Sequence, residues 1–305
     1  MMKRFPSRSL AAIAALVVSA VACAPGASVG SPSASATPSD NVRRIRNQGA
    51  PIGVQLWTFR EQAKPDPLAM LKMARGMGIS HVETAGLYGM TAAQLASALE
   101  SAGLRATSMH VGYDDLMKNP QTVIANAKAL GATYVGLAWY PHSGAFTEAD
   151  ARKAAADFNA IGKTMKDAGL TFFYHNHGYE PVPYGNGTLL DLLIQNTDPA
   201  LVKFEMDVLW TWLPGADPVG LIRKYPGRFK LMHIKDMKPG IARGSLSGGL
   251  PAEQQAAIGQ GQVDWQTLMA AAEKDGFQYY YLEDETTDPV KNVPPSITHL
   301  QGLRF

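Results

Sequence analysis

The sequence predicts an α/β fold, a single (β/α)8 barrel, and three observations support this. Short apolar runs alternate with helical patterns from Pro51 onward, as in βα units around a parallel sheet. Eight such runs, with the segments between them, occupy about 255 residues, which is close to the usual size of this barrel. No Gly-x-Gly-x-x-Gly turn follows the first run, so an open doubly wound sheet that binds a dinucleotide is the weaker alternative.

Each predicted strand is a short, mainly apolar run bounded by turn residues or by a helical pattern. In chain order the strands are Ile52–Trp57, His81–Leu87, Ala106–Val111, Tyr134–Tyr140, Leu170–His177, Val202–Val208, Lys230–Asp236 and Tyr279–Glu283. Helices are predicted where apolar residues recur every three to four positions, several of them closed by glycine. They are Pro67–Met77, Ala92–Ser101, Pro120–Leu130, Glu148–Ala168, Leu189–Asn196, Pro218–Lys224 and Trp265–Lys274.

The first 22 residues are predicted to be a signal peptide. They contain three basic side chains and no acidic one, followed by an apolar stretch from Leu10 to Ala22. That stretch is too short for a membrane-spanning helix of about 20 residues. The layout predicts export to the periplasm or to the cell exterior.

Cys23 is the only cysteine of the chain, and with Ser19–Ala22 before it resembles the lipobox of bacterial lipoproteins. Ordinary cleavage without lipidation is the alternative. Residues 23–48 are rich in Ser, Ala and Pro, which predicts a flexible tether, and residues 49–305 form the predicted barrel domain. The membrane is therefore expected as a partner only through an N-terminal lipid.

The charge of the predicted domain differs from that of the precursor. The whole chain has a formal net charge of +2, but without residues 1–48 there are 22 basic and 25 acidic side chains, a net charge of −3. A nucleic acid or an anionic membrane surface is therefore not expected as a partner.

One segment interrupts the alternation of strands and helices. Residues 238–262 are rich in Gly, Ser, Ala and Gln and lie between the seventh strand and its helix. Because βα loops of a barrel open onto the active-site face, this long loop is expected to be either a lid or an insertion without function.

Polar and aromatic residues recur at the predicted strand ends, and five of the seven histidines lie there. Side chains at the carboxyl ends of barrel strands converge on one mouth, so this clustering predicts a site, although each residue alone is compatible with a structural role. His81 and His299 are assigned as structural. The candidates are Gln55, Trp57, Glu83, His110, Trp139, His142, His175, His177, Glu205, Asp207, His233, Lys235, Glu283 and Glu285.

The carboxylates among these residues predict a metal ion. Glu205 and Asp207 are two positions apart on one strand, so both should face the barrel interior, where an ionised carboxylate is costly unless it is paired or metal-bound. His233 lies on the next strand and Glu283 on the strand after that. A divalent cation with imidazole and carboxylate ligands from separate strands would stabilise this arrangement.

Several motifs are similar to those of the sugar phosphate isomerase/epimerase group of xylose-isomerase-like TIM barrels. They extend from about Pro51 to Glu285, nearly the whole predicted domain. The motifs are Gly53–Trp57 (GVQLW), Tyr174–His177 (YHNH), Phe204–Trp210 (FEMDVLW), Leu231–Met237 (LMHIKDM), Gly259–Trp265 (GQGQVDW) and Tyr281–Glu285 (YLEDE).

The resemblance implies one divalent metal ion (Mn, Co, Mg or Zn) with a ligand from each of strands five to eight. Carried over position by position, the ligands are His175, Asp207, His233 and Glu283. The family ordinarily has glutamate where His175 stands, and the inosose dehydratase branch resembles this chain in having histidine there. Two-base epimerases use both glutamates, so simple two-base epimerisation is not favoured.

The resemblance also implies a reaction. It is that of a sugar isomerase or epimerase acting on a non-phosphorylated keto-sugar or glycoside, through α-proton abstraction and a metal-stabilised enediolate. A β-eliminating lyase or dehydratase acting on a keto-sugar or 3-keto-glycoside is the alternative. Glu283 is the expected base, with Lys235 or His177 as proton donor. Substrate contacts are assigned to Gln55, Trp57, Glu83, His110 and Trp210, although the tryptophans are equally compatible with barrel packing.

Two rival functions make different demands on the sequence. A DNA-repair endonuclease on the same barrel would need a multi-zinc cluster and a basic groove, and the domain charge of −3 does not favour it. A non-catalytic sugar-binding lipoprotein would not require Lys235 and Glu283 beside a metal ion.

Overall fold

Eight parallel strands form a closed barrel in the computed structural model, which describes residues 52–304. Each strand pairs with the strands before and after it in the chain, and the eighth pairs with the first. The predicted signal peptide, Cys23 and the tether lie outside the described residues. The strands are β1 (Ile52–Gln55), β2 (His81–Thr84), β3 (Arg105–Val111), β4 (Tyr134–Leu137), β5 (Thr171–His175), β6 (Val202–Asp207), β7 (Phe229–Ile234) and β8 (Tyr279–Leu282).

Helices follow the strands and cover the outside of the barrel. They are α1 (Arg60–Ala63), α2 (Pro67–Gly76), α3 (Ala92–Ser101), α4 (Tyr113–Lys118), α5 (Pro120–Leu130), α6 (Glu148–Asp167), α7 (Leu189–Gln195), α8 (Val208–Trp212), α9 (Pro218–Lys224), α10 (Trp265–Asp275) and α11 (Pro289–Gly302). Among residues 52–304, no helix is long and apolar enough to cross a membrane.

The predicted fold class is confirmed: all eight predicted strands and all seven predicted helices are present. Seven of the eight predicted strands extend too far at their carboxyl ends; the third ends at Val111, as predicted. Trp57, for example, lies in a 3-10 turn after β1, and His177 lies two residues beyond β5. These polar and aromatic side chains leave the sheet to line the mouth of the barrel.

Side-chain caps determine where several helices begin. Thr91, Thr147 and Thr188 each accept a hydrogen bond from the backbone N–H three residues later, and the side chain at that position bonds back to the threonine N–H. Such capping boxes pair backbone donors that the helix itself leaves unpaired. The sequence therefore contains its own start positions for α3, α6 and α7.

The lower interior of the barrel is apolar, and two glycines make room for it. Phe173, Leu231 and Tyr281 pack together inside the barrel. A Cβ at Gly136 would overlap the ring of Phe173, and one at Gly53 would lie 2.9 Å from the ring of Tyr281. Two positions after each residue of this apolar cluster, the chain has a polar residue that also faces inward. The polar site therefore lies directly above the apolar cluster, toward the carboxyl ends of the strands.

The long segment after β7 is attached to the barrel mouth. Its first residues, Asp236–Met237, pair antiparallel with Gln255–Ala256. At Gly248, which has a φ of +63°, a Cβ would lie 3.4 Å from Cβ of His177 and 3.5 Å from the ring of Trp139. Glycine is suited to this position because it adopts a left-handed backbone conformation readily and has no Cβ to crowd its neighbours. The segment thereby forms one wall of the mouth.

Candidate metal centre and active site

A cavity of about 400 Å³ opens at the carboxyl ends of the strands. It is the position at which barrels of this class place their chemistry. Most of the residues predicted from the strand ends are found there. Its lining includes Gln55, Trp57, His110, Trp139, His175, His177, Trp210, Lys235, Gly248, Glu283 and Glu285.

The four predicted metal ligands face one another below this cavity. His233 Nδ1 lies 3.3 Å from Glu283 Oε2 and 3.9 Å from Asp207 Oδ2. His175 Nε2 lies 4.0 Å from the same oxygen of Asp207. That oxygen is buried and has no hydrogen-bond partner among residues 52–304, which is unusual for a buried carboxylate.

The other nitrogen of each histidine is held by a carboxylate. His233 Nε2 donates to Glu83 Oε1 at 2.7 Å, and His175 Nδ1 donates to Glu205 Oε2 at 3.0 Å. His110 Nε2 lies between both acids, 3.0 Å from Glu83 and 2.9 Å from Glu205. A carboxylate that accepts from one ring nitrogen fixes the orientation of the imidazole and leaves the other nitrogen available to a metal.

Two groups of residues have ligand atoms close enough to hold an ion. One is Asp207, His233 and Glu283; the other is His110, His175, Glu205 and His233. The second group is joined by contacts of 2.9 to 3.1 Å between nitrogen and carboxylate oxygen, which are hydrogen-bond distances. Each group contains one buried carboxylate oxygen without a hydrogen-bond partner among the described residues, Asp207 Oδ2 in the first and Glu205 Oε1 in the second. Asp207 Oδ2 lies 3.9 Å from His233 Nδ1 and 4.0 Å from His175 Nε2, which is longer than a hydrogen bond, so the first group, with His175, fits a divalent cation better.

Burial and neighbouring charges perturb the acids of this centre strongly. Burial, with repulsion from Glu83, raises the pKa of Glu205 to about 7. Burial, with repulsion from Glu283, raises the pKa of Asp207 to about 7. Burial also opposes ionisation of Glu83, but His110 and His233 outweigh it and lower the pKa of Glu83 to about 2. A bound cation would stabilise the ionised form of Asp207 and would therefore bind more strongly as pH rises.

Lys235 and Glu283 form an ion pair at the rim of the centre. The Nζ of Lys235 donates to Glu283 Oε2 at 2.9 Å, contacts Glu285, and lies 4.7 Å from the ring centre of Trp210. Burial opposes the charge of Lys235, but the neighbouring Glu283 and Glu285 raise its pKa above the ordinary value. Burial likewise opposes ionisation of Glu283, and Lys235 and His233 hold its pKa well below the usual range. Both groups are therefore charged at neutral pH.

His177 has the opposite electrostatic character. Burial and the charge of Lys235 lower its pKa to about 3, so its imidazole is neutral at neutral pH. Its backbone N–H donates to Glu180 at 2.9 Å, while its Nδ1 has no hydrogen-bond partner among the described residues. Of the two predicted proton donors, Lys235 is therefore the cationic one at neutral pH.

Three tryptophans surround the opening. Trp57 is 46% exposed and donates from Nε1 to Glu285 Oε1 at 2.9 Å, and Trp139 is 43% exposed. Trp210 is buried, and its ring plane lies 17° from that of His177. Large exposed aromatic faces at a polar cavity are suited to the apolar faces of a sugar ring.

Four of the five predicted substrate-contact residues line the cavity: Gln55, Trp57, His110 and Trp210. The fifth, Glu83, does not line it. Glu83 is completely buried and bonded by Gln55, Ser108, His110 and His233, so it orients other site residues instead of meeting substrate.

Three residues of this region have no role assigned to them from the sequence. Glu205 was recognised as an inward carboxylate but received no role, and Trp139 was recognised only as a strand-end residue. Glu180 had no signal, because it lies in the loop after β5; it is fully buried, and burial raises its pKa to about 8. It bonds to the Tyr174 hydroxyl and the His177 backbone, and so holds the His177 turn in place.

Known proteins resemble the chain in sequence. Residues 71–303 match the family model of the xylose isomerase-like TIM barrel. An inosose dehydratase of Clostridium tetani (strain Massachusetts / E88) is 27% identical over 159 residues, which are 49% of this chain and 51% of that protein. The chain thus spans about half the length of the named relatives it matches.

Solved structures resemble it over a larger share. A sugar phosphate isomerase/epimerase from Parabacteroides distasonis ATCC 8503 has a TM-score of 0.66 and 25% identity, covering 82% of this chain and 93% of the other. An IOLI protein with a bound zinc atom has a TM-score of 0.63 and 14% identity, covering 82% and 95%, and shares the fold. Because the family model matches more than half of the chain and the strands close into the corresponding barrel, the chain belongs to the xylose isomerase-like TIM barrel family.

Proposed function

We propose that this chain is a divalent-metal-dependent enzyme that removes the proton next to the carbonyl of an unphosphorylated keto-sugar or glycoside. The charged pair of Lys235 and Glu283 carries this proposal, because it places an ionised carboxylate and an ammonium group together at a site with unpaired ligand atoms. The names of the relatives, a sugar phosphate isomerase/epimerase and an inosose dehydratase, support the same class of reaction.

Each participant has a defined task in this proposal. His175, Asp207, His233 and Glu283 would hold the ion, which would supply Lewis-acid polarisation of the substrate carbonyl. Glu283 accepts the α-proton as a carboxylate, and Lys235 delivers a proton from Nζ. Trp57, Trp139 and Trp210 hold the sugar ring, and His177 contributes a neutral hydrogen-bonding edge.

The placement of acid and base favours a particular set of reactions. Lys235 and Glu283 directly follow the adjacent strands β7 and β8, so both act from one side of the mouth. This suits return of the proton to the neighbouring carbon, as in an isomerase. It equally suits protonation of a departing hydroxyl or alkoxide, as in a dehydratase. The resemblance to an inosose dehydratase supports the dehydratase reaction, which is the alternative to the isomerase.

The substrate is proposed to lack a phosphate group. Among the residues lining the cavity, Lys235 is the only Lys or Arg, and its ammonium group is already bonded to two carboxylates. A dianionic phosphate would require further cationic or backbone N–H donors.

Turnover in deuterated water tests the proposed function. The purified protein is incubated with Mn and a panel of free keto-sugars and keto-glycosides. Deuterium incorporation without loss of a group indicates an isomerase or epimerase, whereas an unsaturated product or a released aglycone indicates a lyase. The chelated protein and Glu283→Gln should show no incorporation. If no substrate exchanges deuterium with the metal-loaded protein, the chain is better explained as a sugar-binding protein.

We also propose that the enzyme is exported and anchored to a bacterial membrane facing the periplasm or the exterior. The basic N-terminus, the short apolar stretch and Cys23 after Ala22 support this location. An unphosphorylated substrate agrees with it.

A further inference from the structure

A second cavity, of about 530 Å³, adjoins the cavity of the metal centre. The two share Ala85, His110, Val111 and Gly112 in their linings, so they lie side by side at the ends of β2 and β3. Apart from His110, none of the predicted site residues lines this second cavity. We refer to it as the side cavity.

One face of α5 and the residue before it form a wall of the side cavity. Asn119, Thr122, Val123 and Asn126 line it, and their spacing of three to four residues places them on the same side of the helix. In the described part of the chain, the side chains of Asn119, Thr122 and Asn126 bond to no other protein group; Asn119 and Thr122 are exposed to solvent and Asn126 is half-buried. Amide and hydroxyl groups are thus presented to whatever occupies this space.

The remaining lining is mostly apolar. Leu87, Met109 and Val111 line the cavity beside the polar groups, and Asp115 is the one carboxylate. No Lys or Arg lines this cavity. An anionic ligand would meet Asp115 with no compensating cation, whereas a neutral ligand would meet hydrogen-bonding groups next to apolar surface.

A sugar unit has this combination of properties. Its hydroxyls both donate and accept, as the side chains of Asn and Thr require, and its C–H faces pack on apolar side chains. The volume lies within the usual range of about 300 to 1,000 Å³ for small-molecule sites. A ligand that spans both cavities would pass His110, which lines both of them.

We propose that the side cavity binds the second, neutral sugar unit of a disaccharide-type substrate, while the first unit lies at the metal centre. The proposal rests on the proposed function for the chemistry at the first unit, but the binding it describes does not require turnover. It predicts that the protein prefers a disaccharide to the corresponding monosaccharide, and that α5 determines this preference.

Binding to the metal-loaded, full-length protein tests the proposal. The probes are glucose, cellobiose, maltose, sucrose and trehalose, measured by calorimetry. At least one disaccharide should bind ten-fold or more tightly than glucose. The double variant Thr122→Val/Asn126→Leu should weaken that binding at least ten-fold and leave glucose binding unchanged. Gln121→Leu is the matched control, because Gln121 is an exposed residue of α5 that does not line the cavity, and it should bind like the unaltered protein.

Three results would overturn the proposal. They are a preference for glucose over all four disaccharides, an equal loss of glucose and disaccharide binding in the double variant, and unchanged disaccharide binding in that variant. Circular dichroism checks that the double variant is folded. The single variant Asn119→Leu, at an exposed position, provides a second measurement of disaccharide binding against glucose binding. If disaccharide binding depends on α5 but no sugar exchanges deuterium, sugar binding in the side cavity is confirmed and the proposed enzymatic function is contradicted.

Discussion

Lys235 and Glu283 are paired across neighbouring strands of a closed barrel, with Nζ 2.9 Å from Oε2 and both side chains nearly enclosed by protein. Each residue directly follows the last residue of its strand, Ile234 in β7 and Leu282 in β8, and those two residues pair in register. The pairing of β7 with β8 therefore places the two charges together, at the edge of the residues that would hold a metal ion.

Replacing Lys235 should remove turnover without removing the metal. Lys235→Met keeps the length and apolar stem of the side chain but eliminates the proton on Nζ. We expect deuterium exchange to slow by about 10²- to 10⁴-fold, the usual contribution of a general acid or base. Metal content should be unchanged. Lys238→Met, at an exposed position on the following segment, is the control, and a fully active Lys235→Met would remove the assignment of Lys235 as donor.

Binding of the metal ion should depend far more on Asp207 than on Glu205. Asp207→Asn removes the charge from Oδ2, a buried oxygen with no hydrogen-bond partner in the described structure that lies 3.9 Å from His233 Nδ1 and 4.0 Å from His175 Nε2, so we expect the protein to lose stoichiometric Mn after dialysis. Glu205→Gln changes a residue that contacts the rings of His110, His175 and His233 and orients them, so it should keep the metal with affinity lowered by about 10- to 100-fold. Elemental analysis of both variants distinguishes the two ligand groups. The reverse result would place the ion among His110, His175, Glu205 and His233.

The barrel interior should not accept a methyl group at Gly136. Its Cβ would overlap the ring of Phe173, which is completely buried, and inserting atoms into a packed core costs about 1 to 3 kcal/mol. We expect Gly136→Ala to lower the urea midpoint accordingly. Gly76→Ala is the control, because no atom lies within 4 Å of its added Cβ and alanine favours the helical backbone. Equal midpoints for the two variants would contradict this packing.

The fold could be predicted because its elements are marked locally. Apolar runs identify the strands, and residues such as Thr91 and Thr147 mark helix starts. The short helices α1, α4 and α8 are not among the predicted ones, because four, six and five residues are too few to show a helical period. The 14-residue α11, which contains Pro294 and Pro295, also has no predicted bounds. Helix α8 also begins at Val208, directly after β6, and the sequence pattern extends the strand to that residue.

The site could be predicted as a set of residues but not as an arrangement. The position of His233 at a strand end follows from the sequence. Its hydrogen bond to Glu83, 150 residues earlier in the chain, depends on closure of the barrel and on the stagger of its strands. For the same reason Glu83 was assigned to substrate, although the structure places it beneath the histidines.

Cys23 should carry a lipid in cells that process lipoproteins. The protein is then expected in the membrane fraction, with an N-terminal peptide mass increased by a diacylglyceryl group and an acyl chain. Cys23→Ser should be recovered in the soluble exported fraction with unchanged catalytic activity, because residues 52–304 contain the whole candidate site. Recovery of the unaltered protein in the soluble fraction with an unmodified Cys23 would favour ordinary cleavage.

The stability of the barrel should depend on pH through Asp191, far from the metal centre. Its Oδ1 accepts from Lys224 Nζ and from the Tyr225 hydroxyl, both at 2.7 Å, and its Oδ2 accepts from Thr188 N–H at 2.8 Å. Burial of the carboxyl opposes ionisation, but these hydrogen bonds outweigh it, and the pKa of Asp191 is lowered on folding.

A carboxyl group whose pKa falls on folding contributes stability above its unfolded pKa of about 3.9, and this contribution disappears as pH falls through the folded pKa. At pH 7, Asp191→Asn should therefore lower the free energy of unfolding by about 1 to 3 kcal/mol, the range for hydrogen bonds to a charged group. The difference from the unaltered protein should narrow as pH falls below 4, which urea titrations at pH 7, 5 and 3 would measure. Asp167→Asn removes an exposed pair with Lys163 and should have little effect at any of these values, since such pairs contribute little. A difference for Asp191→Asn that stays constant with pH would show that the helix cap, and not the charge of Asp191, stabilises this part of the barrel.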